Sequence, residues 1–310
     1  MMGAYILRRL LWTPLLLLVV GFVTFVLGLY GPGDPVEVLM RQYRDPEVVA
    51  RIHAQRGLDK PVIVQYGIYI GNALKGDLGE SFKYRGQSVT QLIGKRIWVS
   101  SQLGLAALLL SLLLGIPLGL FAALKQGRWQ DTGIISATLL FNSLPVFITA
   151  PFLLLVFVLW LGVLPSQGWG GLFDTRIVMP ALVLGIPGVA FFARMSRNSI
   201  VEVLSQDYVR TARAKGLSEF QVYWRHVLRN AMIPVFTIAG LGLATLVTGA
   251  IVTETYFGIP GVGRLAIDAF FSRDYPIITA LTLIIATAYV LANLIVDIGY
   301  RFLDPRIRYD

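Results

Sequence analysis

Six long, nearly uncharged apolar runs limit the fold of this chain more than any other feature. The hydrocarbon core of a bilayer is roughly 30 Å thick and a helix rises 1.5 Å per residue, so a crossing takes about 20 apolar residues. The runs are Leu10–Tyr30, Val99–Leu124, Gly133–Leu164, Ile177–Ala193, Met232–Thr255 and Ile277–Phe302. In lipid every backbone amide must find its partner within the protein, which helices achieve segment by segment. The sequence therefore predicts an all-α, polytopic membrane protein with six transmembrane helices. The first run follows Arg8 and Arg9, as a secretion signal would, but it is too long and no small-residue cleavage site precedes Gly31-Pro32-Gly33. It reads as an uncleaved span.

Composition agrees. The 310 residues are 55% hydrophobic and 15% charged, against about 25% charged in soluble domains. A net charge of +9 would raise nucleic-acid binding in a soluble protein. Here the excess flanks apolar runs, where it sets orientation, and no nucleic-acid partner is expected. The chain has no cysteine, so disulfides, thiolate catalysis and cysteine-held metals are excluded.

Orientation follows from Lys and Arg in the short loops. Arg8 and Arg9 precede span one, Lys125 and Arg128 separate spans two and three, and Arg301, Arg306 and Arg308 lie in the tail. Seven more, Arg194, Arg197, Arg210, Arg213, Lys215, Arg225 and Arg229, lie between spans four and five. The alternate loops hold Arg176, then Arg264 and Arg273. Both termini are expected in the cytoplasm. The loop Gly31–Trp98, with ten basic and seven acidic residues, is too long for the rule and is assigned outside. Four regions result: a stub and first helix over 1–30, an extracytoplasmic helical loop over 31–98, a five-helix core over 99–302, and a cytoplasmic tail over 303–310. In the loop, Asp34–Gly57 reads as polar helix broken at Asp45-Pro46, and Pro61–Leu74 keeps helical apolar spacing. Two readings stay open for it: a cap that meets a partner or the bilayer surface, or a connector packed on its own spans.

Spans two to five carry no charge in their interiors, Glu254 standing at the end of span five, and span six has Asp297 and Arg301 near its cytoplasmic end. Ion-coupled carriers use buried ionisable groups, so their scarcity weighs against that class. Span three carries Asn142, Ser143, Pro145 and Pro151, which interrupt helix hydrogen bonding. Irregular backbone at membrane depth belongs in protein or beside a wet cavity. Phe141, Asn142 and Pro145, with Thr248 of span five, are the expected lining of a passage.

The strongest local signal lies in the cytoplasmic loop 194–233. Ser205 is placed to cap a helix whose first turn holds Asp207 and whose last turn holds Arg213 and Lys215. Gly216 stands where a helix ends in the left-handed conformation. Ser218 with Gln221 has capping-box spacing, and Leu217 with Val222 that of a hydrophobic staple. A stiff helix–break–helix elbow is predicted, with a small-residue surface at Thr211, Ala212, Ala214 and Gly216 flanked by arginines. Such a surface suits docking to another protein.

This elbow resembles the EAA-type coupling loop of ABC importer permeases, with Arg210-Thr211-Ala212 at the triplet and Leu228 twelve positions past Gly216. Arg210 replaces the triplet's acidic residue and Arg229 its usual proline, a pattern similar to the oligopeptide and dipeptide branch. The string Asp207 to Leu217, with Tyr208 and Lys215, is similar to that branch. So are Arg225 to Pro234, Gly57 to Pro61, Gly76 to Gly79, Glu254 with Phe257 to Gly263, Arg273 to Pro276 and Asp304 to Arg306. The resemblance runs in order along nearly the whole chain. It implies a type I ABC importer-like permease core in the cell inner membrane. It also implies a sibling permease subunit, two ATP-binding subunits holding ATP and Mg, and an extracytoplasmic substrate-binding protein. The residues implied to couple to the ATPase are Asp207, Tyr208, Arg210, Thr211, Ala212, Ala214, Lys215, Gly216 and Leu217. Peptides are the implied cargo, with nickel chelates or oligosaccharides as alternatives.

The chain itself has no phosphate loop, since Gly94-Lys95-Arg96 lacks both the first glycine and the hydroxyl. No bound cofactor or metal is expected, and His53 and His226 fall on opposite sides of the membrane. A hydrolase is disfavoured by the absence of His-Glu-x-x-His, Gly-x-Ser-x-Gly and paired intramembrane aspartates. An ATPase-independent channel or secondary carrier remains the rival, and it would not need the capped elbow.

Overall fold

The computed structural model describes residues 2–30, 60–84 and 86–303. The polar helix expected over Asp34–Gly57 lies outside the described residues. Helix α1 spans Met2–Tyr30. The apolar spacing after Pro61 yields α2, Val62–Ala73, which touches α1 through Tyr66, whose hydroxyl donates to the Leu18 carbonyl at 2.7 Å.

The core begins with α3, Val89–Leu124, ten residues ahead of the expected start at Val99. Span three is not one rod. Helix α4, Trp129–Ser143, and α5, Val146–Leu154, continued by a π turn Leu155–Trp160, meet at a bend of 102°. Pro145 has no N–H to extend α4, and Leu144 before it takes extended angles (φ −83°, ψ 118°). Helix α6, Val178–Leu204, runs well past Ala193, so Arg194 and Arg197 ride on a helix and the connecting loop begins at Ser205. The elbow consists of α7, Asp207–Ala214, and α8, Glu219–Gln221. A π stretch, Val222–Leu228, then leads directly into α9, Arg229–Thr248. The expected fifth span to Thr255 breaks at Gly249 (φ 74°), and a hairpin of α10, Ile251–Tyr256, and α11, Val262–Ser272, follows. Helix α12, Tyr275–Leu303, closes the described chain.

Among the described residues three helices are long and apolar enough to cross a membrane: α1, α3 and α6 with its preceding 3₁₀ turn. The bent pair α4–α5 makes a fourth if taken as one span, and Tyr275–Leu291 is a shorter apolar stretch. The one β feature among these residues is an isolated bridge between Glu80 and Ser88.

Close approach of α3 to α6 organises the core. A Cβ on Gly119 would sit 2.4 Å from the Ala193 carbonyl, and one on Gly115 2.9 Å from the Val189 carbonyl. Small residues let membrane helices touch backbone to backbone where no hydrophobic effect drives them together. The Ser111 hydroxyl donates to the Ala107 and Gly185 carbonyls at 2.7 and 3.0 Å, bridging the same pair of helices. Large apolar side chains such as Leu113, Phe147 and Phe236 remain exposed, as lipid- or subunit-facing surfaces require.

Candidate functional site

The elbow is built from local rules and then fastened to the core. Helix α7 starts at Gln206 in extended conformation, without a side-chain cap. Ser205 does not cap it as expected: its hydroxyl donates to the Glu202 carbonyl at 2.7 Å, because α6 reaches Leu204 and Ser205 closes that helix instead. Gly216 adopts φ +79°, and its N–H donates to the Arg213 carbonyl at 2.9 Å. The capping box forms, with Gln221 N–H to Ser218 Oγ at 3.4 Å and Ser218 N–H to Gln221 Oε1 at 3.2 Å. Across the break, Arg213 forks onto Glu219 at 3.0 and 3.2 Å, and that hydrogen bonding raises the guanidinium above its ordinary value.

Val209 is fully buried and Ala212 is 5% exposed. Both join one apolar cluster with Val222 and Val227 of the π stretch, Ile200 of α6 and Ala231, Met232 and Val235 of α9. Ala212 therefore does not belong to the exposed small-residue surface expected of it; its methyl fills the seam between α7 and the returning chain. Asp207, Tyr208, Arg210, Thr211, Ala214, Lys215, Gly216 and Leu217 are exposed. Two exposed aromatics escaped the sequence reading. Phe220 and Trp224 stack with ring centroids 6.4 Å apart and planes 3° from parallel, and their i, i+4 spacing was the available signal.

Of the expected passage residues, Thr248 borders a cavity of about 280 Å³. Ser100, Gly104 and Ser111 of α3, Gly188 and Phe192 of α6, and Gly249 and Ala250 share its wall. Phe141, Asn142 and Pro145 are not brought to it; they sit exposed at the α4–α5 bend.

Beside this cavity Glu254 is completely buried. Its Oε1 accepts from the Ser100 hydroxyl at 2.6 Å and the Ala250 N–H at 3.1 Å, and its Oε2 accepts from the Arg264 N–H at 3.0 Å. Ser100 Oγ in turn accepts from the Val262 N–H at 2.8 Å. Among the described residues no basic side chain pairs with Glu254. A buried carboxylate without donors would be very costly, so hydroxyl, amides and the positive end of α11 replace its water. Gly261 is required here, since its Cβ would lie 2.3 Å from the Glu254 carboxyl carbon.

On the elbow side of the core, Arg197 of α6 forks onto Asp131 of α4 at 2.8 and 3.0 Å, and the Gly127 N–H donates to the same carboxylate at 3.0 Å. Among the described residues no group of three or more His, Asp or Glu could hold a metal.

A long-helix core with a capped elbow rooted between two helices and a glycine-lined cavity is the architecture of a membrane permease subunit. The chain belongs to the binding-protein-dependent transport system inner membrane component family, whose model matches residues 115–309, and its N-terminal counterpart matches residues 2–100. It is 40% identical over 306 residues to the oligopeptide transport system permease protein OppB of Haemophilus influenzae, covering 98% of this chain and 99% of that protein. It is also 40% identical over 317 residues to the di/tripeptide transport system permease protein DppB of Pseudomonas aeruginosa, covering 94% of each. Among solved structures, an inward-facing MetNI methionine ABC transporter chain superposes with a TM-score of 0.57 at 18% identity, covering 69% of this chain and 96% of that one. That likeness concerns the fold, a type I ABC importer permease.

Proposed function

We propose that this chain is the transmembrane permease subunit of an ATP-driven importer and forms half of the translocation pathway for peptides delivered by an extracytoplasmic binding protein. It has six spans and both termini in the cytoplasm. Its partners are a sibling permease and two ATP-binding subunits, which hold ATP and Mg and hydrolyse the nucleotide. The exposed residues of α7 and the turn at Gly216 dock to an ATP-binding subunit. The cavity beside Thr248 belongs to the passage.

One observation carries the reading. The elbow is stiffened at its break by Gly216, the capping box and the Arg213–Glu219 fork, while Val209 and Ala212 are packed into the same cluster as α6 and α9. A push on its exposed side is therefore delivered to two long helices at once, which a simple connector would not require. The peptide cargo rests on the relatives' names. The test is reconstitution of the complex with its binding protein in liposomes, with ATP hydrolysis and uptake of labelled tri-alanine measured together. Uptake that persists without ATP-binding subunits would overturn the reading in favour of a channel or carrier. Uptake of a nickel chelate or an oligosaccharide in place of the peptide would keep the machinery and change the cargo.

A further inference from the structure

Among the described residues, the hydrogen bonds to the Glu254 side chain all come from donors that converge on it. Three groups point hydrogen at it: the Ser100 hydroxyl, the Ala250 amide and the Arg264 amide. The two amides can only donate, and one of them faces each carboxylate oxygen. Both oxygens must therefore accept, which a carboxylate does and a side-chain amide, with its NH₂ on one side, does not. These donors belong to three separate parts of the chain. Ser100 is on α3, Ala250 is in the cavity wall between α9 and α10, and Val262 and Arg264 open α11. Ser100 itself lines the cavity. Helix α3 packs backbone to backbone on α6, and α6 ends at Leu204, with two residues between it and the elbow's first helix.

We propose that Glu254 is a positioning residue of the transport cycle: it pins the α10–α11 hairpin and the cavity wall at Ala250 to α3, so that the hairpin moves with α3 as one body when the elbow is displaced. The proposal deepens the importer reading and rests on it for the source of the motion. It assigns no proton transfer and no contact with cargo to Glu254.

The chain has no cysteine, so the test can use a reversible bond. Ile93 of α3 and Leu265 of α11 share one buried apolar cluster and take no part in the hydrogen bonds of Glu254, so Ile93→Cys and Leu265→Cys place two thiols on the helices that the pin joins. In the assembled complex, the double variant should cross-link at the same rate, within about twofold, in the nucleotide-free and the vanadate-trapped states. This measurement needs no cargo and separates the latch from the importer reading. A tenfold lower rate in either state would overturn the proposal. Adding Glu254→Gln should slow cross-linking at least tenfold, because its amide faces a donor in either orientation. Glu254→Gln alone should lose most of the binding-protein-stimulated ATP hydrolysis, measured with tri-alanine. Slow oxidation of the triple variant should restore hydrolysis, and dithiothreitol should abolish it again. A Glu254→Gln complex with unmodified cross-linking and hydrolysis would overturn the proposal. So would a fully oxidised triple variant that stays inactive or cannot be recovered from the membrane, since a bond that replaces the pin must then suffice. If the unmodified complex shows no tri-alanine stimulation, the peptide reading fails while the cross-linking rates still decide the latch.

Discussion

Asn230 donates a hydrogen bond of 3.0 Å to the Tyr208 hydroxyl, and so the first helix of the elbow is held at the root of α9. Asn230 also donates to the His226 carbonyl at 2.9 Å, which fixes its side chain over the π stretch. Tyr208→Phe removes one such bond at an exposed site. The expected cost is about 1 kcal/mol or less, with stimulated ATP hydrolysis lowered by no more than a few-fold. Arg210→Ala should do less still. Its 3.7 Å contact with Asp207 joins side chains 75% and 97% exposed, and such a pair contributes little. Thermal melting of the purified complex, set beside its hydrolysis rate, checks both.

Gly216 tests the turn itself. Nothing lies within 4 Å of a Cβ added there, so a substitution acts through the backbone alone. Gly216→Ala pays for a positive φ, about 1 kcal/mol, and should weaken coupling partially. Gly216→Pro demands a φ near −65° and deletes the N–H that reaches the Arg213 carbonyl. That variant should insert and pair with its sibling, yet lose solute-stimulated hydrolysis and release the ATP-binding subunit on purification. Wild-type transport by Gly216→Pro would show that the elbow does not couple.

The Asp131–Arg197 fork predicts an asymmetric pair of mutants. The side chains are 6% and 25% exposed respectively, so Arg197→Ala strands the more buried charge. Breaking a buried pair from one side costs roughly 3 kcal/mol, and Asp131→Ala should cost less because the freed guanidinium reaches water. The double variant should be no worse than Arg197→Ala. Melting temperatures of these three complexes and the unmodified one form the double-mutant cycle, and strictly additive losses would mean that the fork contributes nothing.

The all-α membrane character was legible because uncharged runs of this length have few alternatives, and the turn at Gly216 because its cues are local. Pro145 marked a break, but a 102° bend depends on what packs on either side of Leu144. Gly249 passed unnoticed inside an apolar run; glycine is required there because φ is positive and a Cβ would lie 2.6 Å from the Gly263 nitrogen. Glu254 stood out only as part of a motif. The hydroxyl that binds it comes from Ser100, 154 residues away, a separation no local pattern encodes.

Topology has a direct check, since every introduced cysteine is unique. Cysteine at Gln167 in the loop after α5, or at Ser272 at the end of α11, should react with an impermeant thiol reagent in intact cells. Cysteine at Gln42 should react as well. Cysteine at Ser218, exposed in the elbow, should react only after the membrane is opened. The reverse pattern would invert the orientation and remove the elbow from the cytoplasm.

Ala212 and Ala214 separate docking from folding, although they lie two residues apart on the same short helix. At 5% exposure Ala212 faces the cluster of Val209, Val222 and Val227. A carboxylate there would be buried without a partner, at a cost of several kcal/mol, so Ala212→Asp should disorder the elbow and lower the melting temperature. Loss of transport in that variant therefore does not by itself identify a docking surface. Ala214 is exposed at the end of α7, and Ala214→Asp should leave the melting temperature within about a degree of the unmodified complex. A negative charge beside Lys215 and Arg213 changes only the outward surface. If that surface meets an ATP-binding subunit, Ala214→Asp should sharply reduce stimulated hydrolysis and recovery of the subunit while the permease pair stays intact. Full hydrolysis and full recovery with Ala214→Asp would place the contact elsewhere, and the exposed Phe220–Trp224 stack would be the next surface to alter.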